Sequence, residues 1–156
     1  MFNNIEYNNY HHLAIGKIGE YWTKLALTLH GLDTYTTEVD NKGIDFIVRN
    51  SRGAYFDIQV KTVRRAKTSY VFMPKENEWK NLRDNLYLAL VLIVEKEMPK
   101  LFLIPSTAWQ NESNLLKSRD YGEDKKSLPE WGINISLKNM EEMNAFSIEK
   151  QIHKMI

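Results

Sequence analysis

The chain has 156 residues, 43% hydrophobic and 12% aromatic, which is enough to bury a core and excludes wholesale disorder. Its 21 basic and 20 acidic side chains leave a formal net charge of +1, which excludes a globally basic nucleic-acid-coating protein but not a local cationic groove. There is no cysteine, so disulfides, thiolate zinc sites and thiol catalysis are excluded, and any metal must sit on oxygen or imidazole ligands.

Residues 1–10 are polar and Asn-rich, without the apolar segment of a signal peptide, and read as a flexible arm. A helix is expected over residues 11–30, where Leu13, Ile18, Trp22, Leu25, Ala26 and Leu29 recur on one broad face. Gly31 follows and suits the end of that helix, because glycine accepts positive φ. Residues 34–39, rich in Thr, Tyr and Val, read as a strand, and Asp40, Asn41, Lys42 and Gly43 as a turn. A second strand is expected over 44–48, a turn over 50–53 and a third strand over 54–63. The short second turn argues for an antiparallel hairpin. On the third strand Phe56, Ile58 and Val60 alternate with Tyr55, Asp57, Gln59 and Lys61, giving one packed face and one polar face.

Residues 70–73 are extended and stop at Pro74, and 75–85 fit a short helix carrying Trp79 and Leu82. Residues 86–94 are almost wholly apolar and read as a strand buried on both faces. Its position after a helix implies a crossover and a parallel neighbour. The run is too short to cross a bilayer as a helix, so a soluble, cytoplasmic protein with no membrane partner is expected. A strand over 101–104 ends at Pro105, and Ser106 caps a short helix with Trp109. Residues 110–130 are polar and aperiodic, a long surface loop. Trp131, Ile133, Ile135 and Leu137 alternate as a strand, and a helix closes the chain from residue 138. The whole reads as one α/β domain over 1–156, with helices flanking a mixed sheet.

Three places carry chemistry. Glu20 follows Gly16 and Gly19 on the first helix, Asp45 interrupts an apolar strand, and Gln59 and Lys61 share the polar face of the third strand. An acid inside a strand is disfavoured by propensity and costly when buried, so it needs a partner. The hairpin brings Asp45 beside Gln59 and Lys61. A carboxylate, an amide oxygen and a main-chain carbonyl together suit a hard cation such as Mg²⁺. A lysine on the same face can stabilise developing charge. Asp45 with Lys61 is also consistent with a buried structural ion pair.

The order of Glu on the first helix, Asp on the second strand and Gln-x-Lys on the third, from about Gly16 to Thr62, resembles the PD-(D/E)XK nuclease superfamily, in its restriction-endonuclease-like and Holliday-junction-resolvase-like branches. The resemblance implies an α-β-β-β-α-β core with an extra C-terminal strand and helix. It implies hydrolysis of DNA phosphodiester bonds by a metal-activated water, with Mg²⁺ or Mn²⁺ as cofactor. Asp45 would be the central ligand, Gln59 would replace the usual acid through its side-chain oxygen, and the Val60 carbonyl would be a further ligand. Lys61 would be the catalytic lysine and Glu20 an outer ligand through water. Gln for Glu removes one negative charge and weakens metal affinity. Asp57 could supply that charge, but two residues along a strand displace it by roughly 7 Å, so it ranks below Gln59.

Lys61, Arg64, Arg65 and Lys67 form a cationic stretch after the third strand, followed by Lys75, and suit phosphate contacts. The same run also fits a solvated hairpin face. His11 and His12 point about 100° apart on a helix and read as a polar helix start, not a chelate. The four tryptophans sit in apolar periodicity and read as core. Two functions remain open from the residues: a Mg²⁺-dependent endonuclease, homodimeric if it cuts symmetric or branched DNA, or a weak or silent relative that serves as a DNA-binding or protein-interaction module.

Overall fold

The computed structural model describes residues 4–39, 42–65 and 67–156. Helix α1 spans His12–Leu29, close to the expected bounds, with His11 capping it through an acceptor for the Leu13 N–H. Gly31 follows at φ +83°, the role read for it from sequence. The buried stripe is Ile15, Gly19, Thr23 and Leu27, whereas Leu13, Leu25 and Leu29, read as core, are exposed. Small residues win the buried face because α1 lies very close to the sheet. A Cβ on Gly19 would sit 1.8 Å from Thr62 Oγ1 and 2.9 Å from Thr62 Cβ.

Three strands form the meander expected from the sequence: β1 Asp33–Thr36, β2 Phe46–Arg49 and β3 Tyr55–Arg64, both junctions antiparallel. The turn expected over 40–43 includes Asp40 and Asn41, which lie outside the described residues. Strand β4 (Tyr70–Pro74) leaves this sheet, and β5 (Leu86–Ile93) returns to it in parallel with β3, from Asp57↔Leu86 to Arg64↔Ile93. Strand β6 (Lys100–Pro105) pairs antiparallel with β5, giving the mixed order β1-β2-β3-β5-β6.

Strands β7 (Leu116–Arg119) and β8 (Glu130–Asn134) join β4 in a second, antiparallel sheet ordered β4-β8-β7. Strand β5 is buried along its whole length, as expected. Tyr87, Ala89, Val91 and Ile93 face a core shared with α1 and the C-terminal segment, while Leu86, Leu88, Leu90 and Leu92 face a core shared with the second sheet. An apolar run without alternation is thus explained by cover on both sides.

Four expectations change. The crossover helix read over 75–85 is only a 3-10 turn at Asn77–Lys80. Trp79 is pulled into the core against Trp109, edge to face at 5.8 Å, and this packing overrides a weakly periodic helical segment. The core is therefore α-β-β-β followed by a strand-and-turn crossover, without a second long helix. Within the span read as a loop, 110–130, strand β7 forms because Leu115 and Leu116 are buried in the core behind the second sheet and Leu116 pairs with Ile133 of β8. The closing helix is broken into α2 (Met140–Asn144) and α3 (Ile148–Gln151). It breaks where Leu103 N–H takes the Phe146 carbonyl and Ser147 bridges Phe102, so this segment covers the edge of β6. The arm read over 1–10 is docked in its described part: Tyr7 is buried and donates its hydroxyl to Glu97 O at 3.1 Å.

Candidate metal and nucleic-acid site

Asp45 lies one residue before β2, just after Gly43, whose φ of +74° turns the chain into the strand. Its N–H donates to Ile58 O at 2.9 Å. Pairing of β2 with β3 stops at Phe46↔Ile58, so Val60 lies beyond the last β2 partner. The Asp45 carboxylate takes that vacated role: Oδ2 accepts the Val60 N–H at 2.5 Å. A charge-assisted bond of this kind fixes a half-buried anion against the β3 backbone. In a strand the N–H and C=O of one residue leave on the same edge, so the Val60 carbonyl also lies on the Asp45 side.

Gln59 is next along the strand. Its Oε1 is buried and, among the described residues, has no hydrogen-bond donor. The amide packs by Gly43 and Trp79: a Cβ on Gly43 would lie 3.6 Å from Gln59 Nε2, 3.8 Å from its Oε1 and 3.7 Å from Trp79 Cδ1. Leaving a buried acceptor unmet costs about 1–3 kcal/mol, so its persistence calls for an explanation.

Glu20 lies on the helix side of β3. The contact of Gly19 with Thr62 sets α1 onto β3, and Glu20 is the next residue. Lys17 Nζ bonds Glu20 Oε2 at 2.6 Å, one helical turn away. That hydrogen bond, then the Glu20 charge, holds the Lys17 ammonium above the ordinary lysine range, and Asp45 adds to the effect. Glu20, Lys17 and Asp45 therefore share one electrostatic neighbourhood. Sequence reasoning did not single out Lys17; its i,i+3 spacing from Glu20 was the available signal.

The polar face of β3 divides in two. Asp57, the lower-ranked ligand candidate, gives its carboxylate to Arg83 at 2.5 Å, and the same guanidinium holds Glu78 at 2.9 Å. Asp57 thus belongs to a separate ion cluster. Gln59 and Lys61 form the other half of that face, and Lys61 is half-buried.

The donors fit a hard divalent cation: one fixed carboxylate, an orphaned amide oxygen and a strand carbonyl, with the Glu20 carboxylate at the margin. The fit is a low-charge one. Among the described residues no three His, Cys, Asp or Glu side chains group closely enough to hold a metal ion.

Of the predicted phosphate contacts, Arg64 ends β3 and Arg65 and Lys67 are exposed just beyond it. Lys75 is not with them. Its Nζ lies 4.0 Å from the Trp131 ring centre and bonds Ser118 Oγ at 2.6 Å and Asp120 at 2.8 Å. Its side chain is 14% exposed, so its charge is engaged within the second sheet. Trp79 and Trp109 are core residues, as read from sequence. No described helix is long and apolar enough to cross a membrane.

No protein-family model and no curated protein matches the chain. Solved structures similar to it include the following two. The Holliday junction resolvase of Archaeoglobus fulgidus is 14% identical, with a TM-score of 0.47, over 76% of this chain and 83% of that one. A bacterial homing endonuclease is 15% identical, with a TM-score of 0.49, over 89% of this chain and 86% of that one. The element order here, a helix, an antiparallel three-strand meander and a parallel fourth strand, is consistent with a restriction-endonuclease-like fold.

Proposed function

We propose that this chain is a divalent-cation-dependent endonuclease that hydrolyses DNA phosphodiester bonds. The observation that carries the reading is the buried, partnerless oxygen of Gln59, one residue before the Val60 N–H that holds the Asp45 carboxylate. In this reading Asp45, Gln59 Oε1 and the Val60 carbonyl hold Mg²⁺ or Mn²⁺, and Glu20 acts from the outer side. When bound, the cation supplies Lewis-acid stabilisation of phosphoryl charge and lowers the pKa of water. Asp45, fixed by Val60 N–H, keeps its orientation without reorganisation during the reaction. Lys61, two residues from Gln59 on the same face, offers a cation to the charge that develops on the phosphoryl oxygens. Arg64, Arg65 and Lys67 hold the DNA backbone by its phosphates.

A single site cuts one strand, and a homodimer is the proposed form for cutting both. The exposed α1 side chains Tyr21, Leu25 and Leu29 offer an apolar face for a second copy. The low carboxylate count and the capture of Asp57 by Arg83 favour a second reading, a catalytically silent DNA-binding or protein-interaction module of the same fold.

The test is cleavage of plasmid, linear and branched DNA with Mg²⁺ or Mn²⁺, comparing wild type with Asp45→Ala and Lys61→Ala. Cleavage lost in both variants supports the enzyme. DNA binding without cleavage of any substrate supports the silent module.

A further inference from the structure

A cavity of about 470 Å³ lies just past the carboxyl ends of β3 and β5. These two strands run parallel, and the carboxyl ends of parallel strands are where open α/β sheets leave room for ligands. Its walls are chiefly apolar, with Ile93, Ile135, Leu137 and Met140, and its mouth carries Arg64 and Arg65. Glu95 also borders it together with Tyr7 and Asn8, and its carboxylate is engaged by the Tyr7 N–H at 2.7 Å and by the Asn8 N–H. The volume lies in the range of small-molecule pockets. Arg64 is three residues beyond Lys61, a distance of roughly 10 Å along a strand.

We propose that this cavity takes one unpaired nucleotide of the DNA strand, its base between the apolar walls and its phosphate on Arg64 and Arg65. The charge at the mouth matches a phosphate, and the apolar lining matches the faces of a base. The site would make the enzyme prefer DNA with a bulged, flapped or single-stranded nucleotide next to the scissile phosphate. The proposal rests on the nuclease reading for its substrate, but its test does not depend on cleavage.

Fluorescence anisotropy in EDTA would compare a labelled duplex carrying one bulged nucleotide with the same duplex fully paired. Wild type is expected to bind the bulged DNA about tenfold more tightly, the worth of one stacked base. Leu137→Gln, at an exposed wall position, and Ser136→Phe, which fills the cavity, should both remove that preference and keep the affinity for paired DNA. Retained affinity for paired DNA also shows that the variants are folded. Equal binding of the two duplexes by wild type, or equal weakening on both by the variants, overturns the proposal. With Mg²⁺ added, a bulge preference without cleavage keeps the pocket and removes the nuclease reading. Cleavage without a bulge preference does the reverse.

Discussion

Two glycines three residues apart on α1 should respond to alanine with opposite sign. At Gly16 an added Cβ meets nothing within 4 Å. Alanine there should stabilise by about 0.5–1 kcal/mol, the ordinary helix-interior gain. At Gly19 the new Cβ would lie 1.8 Å from Thr62 Oγ1, 2.9 Å from Thr62 Cβ and 3.0 Å from Thr62 Cγ2. Rotating Thr62 moves its γ atoms, but its Cβ is fixed by the β3 backbone, so α1 must shift outward. Overpacking of this kind costs about 1–3 kcal/mol, which exceeds the propensity gain. The net expectation for Gly19→Ala is a loss of about 1 kcal/mol, or roughly 2–4 °C in melting temperature for a domain of this size. The shift also moves Glu20 relative to β3, so in the proposed nuclease metal-stimulated DNA cleavage should fall with it. Thermal and urea unfolding of both variants, Thr62→Ala and the Gly19→Ala/Thr62→Ala pair provide the measurement. The double variant should recover only part of the loss, since the Cβ contact remains. If Gly19→Ala stabilises as Gly16→Ala does, the close approach of helix and strand is refuted.

Gln59→Leu should raise stability in EDTA by about 1–2 kcal/mol, because it removes a buried acceptor with no donor, and should abolish any rise in melting temperature on adding Mn²⁺. A destabilised variant, or one that still responds to Mn²⁺, contradicts the assigned role. Lys75→Met should lower stability by about 1–2 kcal/mol in urea unfolding, through loss of the Ser118 bond and the Trp131 cation–π contact, and leave DNA affinity unchanged. Burial, then the hydrogen bond to Glu130, pushes the Tyr70 hydroxyl well above its ordinary pKa of 10.0. The unfolded chain therefore releases that proton first, so stability present below pH 10.0 is lost as pH rises further. Denaturant titrations between neutral and strongly alkaline pH should show a shallower decline for Tyr70→Phe than for wild type.

The elements with strong local signals were legible in the sequence. The period of residues 11–30, the turn between β2 and β3 and the unbroken apolar run of β5 each encode a single structure, because periodicity and turn chemistry are local properties. The expectation that Asp45 lies against the third strand followed from the same hairpin, since a short turn fixes which residues lie side by side, and its bonds to Ile58 and Val60 agree with it. The tertiary structure decided what depended on partners distant in sequence. It selected Gly19 and Thr23 in place of Leu25 and Leu29 for the buried face of α1, because closeness of approach, not hydrophobicity, governs that contact. It also drew Lys75 to Trp131 and Asp57 to Arg83, removing both from the roles read for them. The absence of cysteine narrowed any metal chemistry to oxygen or imidazole ligands. Only the fold left the Gln59 amide oxygen buried without a donor and fixed the Asp45 carboxylate on the Val60 N–H, because burial and hydrogen-bond satisfaction belong to the packed chain and not to its composition.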